Sequence, residues 1–457
     1  MIPPLFEHQK VSKRFMKANP RVLDFSDPGT GKTRVQIEVI ADRLKREPGK
    51  VLIIAPKSLL VPAWKADFEK FAPHLLVSVA TAANRKEAFE AKADVYVTNT
   101  DAAKWLAAQR PSFFKQFHTL VIDEISMFKH RTSDRSKAIG KIKKHFKYRY
   151  GLTGTPISNG ITNIWNIVNI IDDGAHLGTS FVRFRNETQV SKQVGASPNM
   201  LNWVDKEGIH DVVSGLIEEI VVRHKFEECL DVPANFEYQV PYTMPPVQRK
   251  AYTQMQKHAM TVVSGDLISA QQASVVATKL LQIASGAVYT DSEYKNINKE
   301  RYELIRQLVE ERAHSIVFFL WQHQRDNLIA EFESAGITYA YIDGTTPDNM
   351  RNLIVEAYQN GQYQVLLAHP QSTAHGLTLT RGTTTIWASP TLNLEFWLQG
   401  NRRIYRAGQT QKTETIVVVA KDTIEEQAVV KLMAKNAKQM SVLDFLQESF
   451  KLLKDVI

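Results

Sequence analysis

The chain contains the glycine-rich stretch Ser26-Asp27-Pro28-Gly29-Thr30-Gly31-Lys32-Thr33. An apolar run that predicts a strand, residues 22–25, precedes it, and a helical pattern follows it. This order is typical of a phosphate-binding loop, because glycines let backbone N–H groups turn toward phosphate oxygens and the helix N-terminus adds partial positive charge. The strict pattern has glycine at position 26, and an ordinary glycine-rich turn stays open as the alternative when this loop is taken alone.

A second motif, Leu120-Val121-Ile122-Asp123-Glu124, is an apolar strand that ends in two carboxylates. Charged groups at the end of a buried strand require a ligand. On a strand neighbouring the loop, Asp123 would face the magnesium shell and Glu124 would activate a water in line with the γ phosphate. Lys32 would reach the β and γ phosphates, and Thr33 would place its hydroxyl on magnesium. The two motifs together predict a site for ATP and Mg²⁺.

Short apolar runs alternate with longer helical patterns, which indicates parallel sheets flanked by helices. The first series of predicted strands comprises residues 22–25, 51–55, 95–98, 120–122 and 150–153. The second series comprises residues 316–320, 339–342, 365–368, 384–388 and 415–420. Between the two series, residues 157 to about 300 have largely helical patterns, and the turn-rich residues 231–246 are a candidate boundary.

The composition restricts the class of protein. The chain has 457 residues, with 57 Lys and Arg against 48 Asp and Glu, and a formal charge of +9. This length suits two α/β lobes with insertions, and the basic excess favours polyanions such as nucleic acid. The single cysteine, Cys229, excludes an internal disulfide and a multi-thiolate metal site. Because no membrane span or secretion signal is evident, we expect a soluble cytoplasmic protein without a membrane partner.

A basic segment, residues 129–149, follows the carboxylate motif. It holds nine Lys or Arg residues and one acidic residue, Asp134. Each phosphate that such a segment neutralises releases counterions, which gives salt-sensitive affinity without base preference. Its lysines, among them Lys141, Lys143 and Lys144, are therefore candidates for contacts with a nucleic-acid backbone. A solvated basic helix stays open as the alternative.

A third motif in the same order along the chain is Gly151-Leu152-Thr153-Gly154-Thr155-Pro156. With it, the sequence resembles superfamily-two helicases, and more narrowly the Swi/Snf-type DNA-translocating ATPases, over nearly the whole chain. Phe6-Glu7-His8-Gln9 looks like the family's adenine-recognising motif, with the amide of Gln9 on the adenine edge. Pro56-Lys57-Ser58 is similar to a motif that tracks the nucleic-acid backbone, and Trp64 beyond it is expected to be a packing residue.

The resemblance continues in the second half of the chain. Asp343-Gly344-Thr345-Thr346 resembles a backbone-binding turn, and the stretch around Ser372 and His375 resembles a motif that links nucleic acid to ATP. The sharpest match is residues 399–409, which implies that Arg403 and Arg406 are arginine fingers. The resemblance also implies ATP contacts by Gln9, Asp27, Gly29, Thr30, Gly31 and Gln399, and nucleic-acid contacts by Pro56, Lys57, Ser58, Thr98, Asn99, Gly344, Thr345 and Ser372.

The resemblance implies an α/β fold of two RecA-like parallel-sheet lobes, residues 1–156 and 301–422. A helical insertion and linker, residues 157–300, and a C-terminal helical brace, residues 423–457, complete the expected architecture. The implied activity is that of a DNA-dependent ATPase that translocates on duplex DNA, using ATP and magnesium, in a prokaryotic or virus-infected cell. It would remodel protein–DNA complexes or branched DNA.

Two other functions stay open on the sequence alone. One is a strand-separating DNA helicase, and the other is a nucleic-acid-binding regulator whose ATPase has decayed. Single-stranded DNA and RNA stay open as partners beside duplex DNA. The presence of Lys32, Asp123, Glu124, Arg403 and Arg406 argues against decay, because all the residue types that the chemistry needs are in place.

Overall fold

A computed structural model describes residues 2–157, 160–193, 201–229, 232–265, 270–290, 293–373, 377–437 and 439. His375, which belongs to one of the predicted motifs, lies outside the described residues. The same holds for residues 438 and 440–457 of the predicted C-terminal brace.

The chain forms two compact units. The first unit consists of Met1–Lys192, Asn202–Asp231 and Asn436–Ile457, and the second of Gln193–Leu201 and Val232–Lys435. Each unit contains one large parallel sheet. The division between the units falls inside the predicted insertion, residues 157–300, because residues on either side of position 231 join different sheets.

The strands of the first unit are β1 Arg21–Asp24, β2 Lys50–Ala55, β3 Val77–Ala80, β4 Val95–Asn99, β5 Phe117–Asp123, β6 Tyr148–Leu152, β7 Gln189–Gln193, β8 Leu201–Asp205 and β9 Val221–Val222. Seven of them form one sheet in the order β3-β4-β2-β5-β6-β1-β9, and every neighbouring pair in it is parallel. β7 and β8 form a separate two-stranded sheet. All five strands that the first series predicts are present.

The helices of the first unit are α1 Glu7–Ala18, α2 Lys32–Arg46, α3 Ala66–Phe71, α4 Arg85–Glu90, α5 Ala103–Ala107, α6 Pro111–Phe114, α7 Asp134–Ile142, α8 Thr162–Asp172, α9 Phe181–Thr188, α10 Ile209–Ile217 and α11 Phe226–Cys229. They cover both faces of the sheet. Along β2, for example, Leu52 and Ile54 join one hydrophobic cluster, while Val51 and Ile53 join the other. Central parallel strands are buried on both faces, which explains why they are continuous apolar runs in the sequence.

The order of strands corrects one expectation about the site. β5, which ends in the carboxylates, is not the neighbour of β1, because β6 lies between them. The register nevertheless places Asp24, Leu152 and Asp123 side by side across the three strands. Since parallel strands end at the same edge, the phosphate loop and the carboxylates still emerge together.

The strands of the second unit are β10 Asn235–Tyr242, β11 Ala287–Tyr289, β12 Tyr294–Asn296, β13 Ser315–Phe318, β14 Tyr339–Ile342, β15 Val365–Ala368, β16 Thr384–Trp387 and β17 Thr413–Ala420. Six of them form a parallel sheet in the order β10-β17-β16-β13-β15-β14. β11 and β12 form an antiparallel pair. All five strands that the second series predicts are present.

The helices of the second unit are α12 Pro246–Gly265, α13 Ala270–Ala284, α14 Glu300–Glu310, α15 Gln322–Ser334, α16 Asp348–Gln359, α17 Pro370–Thr373 and α18 Leu394–Asn401. Residues 424–437 are also helical, at the start of the predicted brace. In α18, a Cβ atom at Gly400 would lie 2.9 Å from the Trp387 ring and 3.0 Å from Phe318. Gly400 therefore allows α18 to pack closely on the sheet.

The boundary expected near residues 231–246 falls where the two units divide, between residues 231 and 232, and β10 begins just beyond it. All eight residues of β10 pair in parallel with β17, from Asn235 opposite Thr413 to Tyr242 opposite Ala420. Most β10 side chains are exposed, because the strand forms the edge of the sheet. Its sequence alternates the apolar residues Phe236, Tyr238, Val240 and Tyr242 with other residue types, a period-two strand pattern that the two expected series of strands did not include.

A buried ion pair ties the start of the brace to the second sheet. Arg301 Nη2 lies 2.7 Å from Glu425 Oε2, and the two side chains are 1% and 0% exposed. Arg301 also donates to the carbonyl of Ala388, and Glu425 accepts from the backbone N–H of Ala420. These hydrogen bonds compensate the two charges for the loss of water.

We expect Arg301→Met to lower the free energy of unfolding of the second unit by about 3–5 kcal/mol, because it leaves Glu425 as a buried charge without its partner. Arg301→Met combined with Glu425→Gln should recover much of this loss, since the amide can still accept from Ala420. Arg306→Met, which breaks the solvent-accessible pairs with Glu310 and Glu331, should cost much less than Arg301→Met, because water screens these charges. Urea unfolding followed by circular dichroism measures all three, and equal losses for Arg301 and Arg306 would contradict the burial argument.

Candidate nucleotide site and nucleic-acid surface

The phosphate loop lies between β1 and α2 and depends on its glycines. Gly29 and Gly31 have φ angles of 90° and 83°, a left-handed conformation that glycine adopts without strain. A Cβ atom at Gly31 would lie 2.3 Å from Gln9 Nε2. Both the backbone conformation and the close approach of Gln9 thus require glycine at position 31.

Lys32 is the first residue of α2 and bends back over the loop. Its Nζ donates to the carbonyl oxygens of Ser26 at 2.6 Å and Asp27 at 3.1 Å. The ammonium group is partly exposed and lies beside the N-terminus of α2, whose dipole adds partial positive charge. This concentration of positive charge suits the phosphates of a nucleotide.

Gln9 lies directly against the phosphate loop. The side chain is 6% exposed, and its Nε2 donates to the carbonyl of Thr30 at 3.2 Å. Its Oε1 accepts from the backbone N–H of Phe6, and His8 Nε2 contacts the same Thr30 carbonyl at 2.8 Å. The predicted adenine-recognising residue and the predicted phosphate loop are therefore adjacent in the first unit.

The two carboxylates follow β5 at the same sheet edge. Asp123 Oδ2 accepts from the indole Nε1 of Trp64 at 2.9 Å, and Asp123 Oδ1 accepts from the backbone N–H of Glu124 at 3.0 Å. Glu124 has a φ of 54°, which is costly for a residue with a side chain and is often found at functional sites. Trp64 is fully buried and packs in the core as expected. Its hydrogen bond to Asp123 was not predicted, although a buried indole N–H needs an acceptor.

Thr153, at the end of the intervening strand β6, holds the second carboxylate. Glu124 Oε1 accepts from Thr153 Oγ1 at 2.5 Å and from Ser126 Oγ at 2.7 Å. In the same motif, a Cβ atom at Gly154 would lie 2.7 Å from Pro28 of the phosphate loop. The third motif therefore contacts both other motifs, a positioning role that its strand-to-turn sequence did not reveal.

The sheet edge changes the acidity of its carboxyl groups. The pKa of Asp123 is raised to about 6, chiefly by burial and next by the charge of Glu124, while the hydrogen bond from Trp64 and the charge of Lys32 lower it in part. Burial also raises the pKa of Asp24, which accepts from the backbone N–H of Ser26. Perturbed carboxyl groups of this kind cluster at functional sites.

The residues at this edge fit a magnesium ion. In proteins Mg²⁺ takes one or two side-chain oxygen ligands and completes its shell with water and substrate phosphates. Thr33, partly exposed in the first turn of α2, and Asp123 supply such oxygens. Across the described residues, no group of three or more His, Cys, Asp or Glu side chains is gathered to hold a metal ion.

The first unit's predicted nucleic-acid residues differ in accessibility. Lys57 is exposed, Ser58 is half-buried and Pro56 is buried. Thr98 corrects a prediction: its side chain is fully buried and donates to the carbonyl of Ala80 inside the sheet, so it cannot reach a nucleic acid. Asn99, which follows it, is 6% exposed, and its side chain accepts a hydrogen bond from Arg85.

The basic segment also divides into two groups. Lys141 and Lys144 are exposed at the end of α7 and just beyond it. Lys143 was also predicted to contact a nucleic-acid backbone, but its side chain is engaged within the protein. Its Nζ lies 3.2 Å from Asp173, and burial lowers the pKa of its ammonium group. Arg149 is 1% exposed and is also paired with Asp173. Both cations are engaged with Asp173 and so support the fold of the first unit.

The predicted backbone-binding turn of the second unit is organised by Asp343. Its Oδ1 accepts from the backbone N–H of Thr345 at 2.9 Å and from the Thr345 hydroxyl at 2.6 Å, and Arg325 donates to its Oδ2 at 2.7 Å. Gly344 and Thr345 are exposed at the tip of this turn. Ser372, in α17 after the next strand β15, is half-buried.

The two predicted arginine fingers converge on one carbonyl group. Arg403 Nη1 and Arg406 Nη1 donate to the carbonyl oxygen of Leu377, at 3.1 Å and 2.9 Å. Arg403 is 6% exposed, whereas Arg406 is only half-buried. Gln399, predicted to contact ATP, is buried and its amide lies 3.4 Å from Glu395 in the same helix.

Gln409 was not predicted as a site residue, but it holds this region together. Its buried amide donates to the carbonyls of Thr380, Gly382 and Ile404, at 3.0 to 3.3 Å. Its Oε1 accepts from the backbone N–H of residues 410 and 411. The last residue of the arginine motif therefore fixes the loop that carries Arg403 and Arg406.

Comparisons with known proteins identify the family of the chain. Residues 16–297 match the family model described as the SNF2-related domain, and residues 300–408 match the helicase conserved C-terminal domain. The described helices include none that is long and apolar enough to cross a membrane.

Similar proteins come from phage and bacteria as well as eukaryotes. Putative protein p41 of Acyrthosiphon pisum secondary endosymbiont phage 1 is 24% identical and covers 93% of each chain. An uncharacterized ATP-dependent helicase of Mycoplasma pneumoniae is 26% identical, over 87% of this chain and 38% of that protein. The chain spans 31% to 45% of the length of the other relatives compared. The solved Sulfolobus solfataricus SWI2/SNF2 ATPase core in complex with dsDNA is 20% identical, with a TM-score of 0.44 and coverage of 100% of this chain and 96% of that chain.

We expect the affinity for Mg-ATP to fall as the pH is lowered through about 6, because protonated Asp123 no longer attracts the metal ion. Trp64→Phe removes a hydrogen bond that stabilises the ionised carboxylate. It should therefore raise the pKa of Asp123 and move the midpoint to higher pH by about one unit. Trp105→Phe, a change of another tryptophan of the first unit, should leave the midpoint unchanged. Calorimetric titration with Mg-ATP at several pH values measures this, and an unmoved midpoint in Trp64→Phe would contradict the assigned role.

Proposed function

Because the chain belongs to the SNF2-related family and is therefore an ATP hydrolase of the helicase type, we propose that it couples ATP hydrolysis to translocation on duplex DNA. The observation that carries this proposal is the row of three motifs at one sheet edge, in which Thr153 links the Glu124 carboxylate to the strand beside the phosphate loop. Such a row supports the proposal because it gathers a phosphate-binding loop, a candidate metal ligand and a candidate general base at one edge of one sheet.

Each residue at this edge has a proposed task. Lys32 binds the β and γ phosphates, and Glu124 orients the attacking water and accepts its proton. Thr33 and Asp123 hold Mg²⁺, which supplies positive charge against the phosphate oxygens. Arg403 and Arg406 are the proposed arginine fingers, because a guanidinium group is always charged and its planar fork matches phosphate oxygens. Their common contact with the Leu377 carbonyl favours joint action, because one loop position orients both.

Duplex DNA is the proposed track. The chain is basic, with a formal charge of +9, and exposed cations such as Lys57, Lys141 and Lys144 suit phosphate contacts without base preference. Some similar proteins carry names that point the same way, among them a chromatin remodeling factor of Schizosaccharomyces pombe and a helicase/translocase of Bacillus subtilis. The name ATP-dependent helicase on other relatives keeps strand separation as the second candidate.

Displacement of a triplex-forming third strand distinguishes translocation from strand separation. We expect the wild-type protein to displace the third strand with ATP, to hydrolyse ATP faster with duplex DNA, and to leave a forked duplex paired. Glu124→Gln should bind Mg-ATP but lose nearly all turnover and displacement, since the amide cannot accept a proton from water. Efficient opening of the forked duplex would favour the helicase, and absence of ATP turnover would favour a binding protein with a decayed ATPase.

We expect the double variant Lys141→Gln/Lys144→Gln to weaken duplex binding and to flatten its salt dependence by about two units of log Kd per log salt, if each lysine neutralises one phosphate. Lys143→Gln is the matched control. Because Lys143 is engaged with Asp173, its loss should lower the melting temperature and leave the salt slope as in the wild type. Fluorescence anisotropy with labelled duplex at several salt concentrations gives the slopes. An unchanged slope in the double variant would show that these lysines are solvated surface residues that do not contact the DNA phosphates.

A further inference from the structure

A segment far along the chain, β9 with the residues up to α11, lies along the phosphate loop. β9 pairs in parallel with β1, with Leu23 opposite Val221. Beyond the strand, the backbone N–H of Phe25 donates to Val222 at 2.9 Å, and that of Asp27 donates to His224 at 3.0 Å. The ladder of backbone hydrogen bonds therefore continues from the end of β1 into the first half of the loop.

Ser26 uses its side chain in this contact. Its hydroxyl accepts from the backbone N–H of His224 at 3.1 Å, and the residue is 2% exposed. His224 is in turn held by a 2.9 Å contact between its Nε2 and the hydroxyl of Ser12 in α1. The departure from glycine at the first position of the loop thus has a structural reason, since glycine could not accept this hydrogen bond.

Arg223 binds the neighbouring residue of the loop, Asp27. Arg223 Nη2 lies 2.8 Å from Asp27 Oδ1, and the arginine is completely buried. Asp27 Oδ2 accepts from the backbone N–H of Phe226 at 3.0 Å, and Arg223 Nη1 donates to the carbonyl of His224 at 2.7 Å. Both oxygens of the Asp27 carboxylate are thus bound by the segment, and the arginine's fork bridges the loop and the segment itself.

The main chain of Asp27 connects this ion pair to the phosphate-binding lysine. Its carbonyl oxygen accepts from Thr30 Oγ1 at 2.8 Å and from Lys32 Nζ at 3.1 Å. A side chain held on both oxygens leaves the backbone of Asp27 little freedom to turn. The orientation of the carbonyl that receives Lys32 therefore depends on the contacts of the Asp27 carboxylate with residues 221–229.

We propose that Arg223 is a positioning residue for nucleotide binding: through Asp27 it holds the phosphate loop and Lys32 in the conformation that receives the phosphates. The inference rests on the proposed function and assigns residues 221–229 to the nucleotide-binding site. A loop held in its binding conformation loses less conformational entropy when the nucleotide binds, so the ion pair increases nucleotide affinity. Lysine cannot replace this arginine fully, because a single ammonium lacks the planar fork that reaches both Asp27 and His224.

The test measures the Kd for ADP with magnesium, without DNA, by calorimetry at a temperature where each variant is folded. Arg223→Gln and Asp27→Asn should each raise this Kd about tenfold or more. The double variant should bind no more weakly than the weaker single variant, because both changes remove the same interaction. Arg223→Lys should lie between the wild type and Arg223→Gln.

Two further variants separate the outcomes. Arg149→Gln breaks another buried arginine–carboxylate pair of the same unit, with Asp173, and should lower the melting temperature without changing the Kd for ADP. Lys32→Ala should raise that Kd, and if it does not, the nucleotide site itself is wrongly assigned. If Lys32→Ala weakens binding while Arg223→Gln binds as the wild type, the positioning role is overturned. It is also overturned if the two single effects multiply in the double variant, or if Arg149→Gln loses as much affinity as Arg223→Gln.

Discussion

The parallel register of β1, β6 and β5 is the constraint on which the candidate site depends. It places Asp24, Leu152 and Asp123 in one row. Because all three strands end at the same edge, the segments that follow them meet although they are far apart along the chain. The phosphate loop, the Thr153 hydroxyl and the two carboxylates are the continuations of these strands. A shift of one residue in any pairing would turn the side chains of that strand to the opposite face and separate these groups.

Around this row, the requirement that buried polar groups find partners decides the geometry. The Trp64 indole, the Thr153 hydroxyl and the Arg223 guanidinium each bind one acidic side chain of the site, namely Asp123, Glu124 or Asp27. The same burial raises the pKa of Asp123, because a carboxylate away from water is less stable than a carboxylic acid. Positioning and acidity are thus two results of one physical cause, the exclusion of water from the sheet edge.

The second unit uses the same principle with different groups. Gln409 gathers three carbonyl oxygens and so holds the loop before β16, and Arg403 and Arg406 bind the Leu377 carbonyl at its start. Arg403 is the more deeply buried arginine and therefore also supports the loop's structure. Elsewhere in the second unit, the buried ion pair between Arg301 and Glu425 ties the first residues of the brace to the sheet.

Elements with a local signal can be predicted from the pattern of residue types alone. The central strands are recognisable because burial on both faces makes them continuous apolar runs, and the phosphate loop is recognisable because only glycine tolerates its backbone at Gly29 and Gly31. The strand that precedes the carboxylates was identified for the same reason. With these elements placed, the α/β class and the two sheets could be predicted.

Features that depend on a partner far along the chain are evident only in the folded protein. β10 lies at the edge of the second sheet because it pairs with β17, and the alternating pattern of its own residues does not show which strand it joins. Thr98 and Lys143 resemble available contact residues in the sequence, but the first points into the sheet and the second is held by Asp173. The ion pair between Arg223 and Asp27 joins two residues of the first unit that are far apart along the chain. In each case the free energy comes from a contact between distant segments, and no local pattern of residue types carries that information.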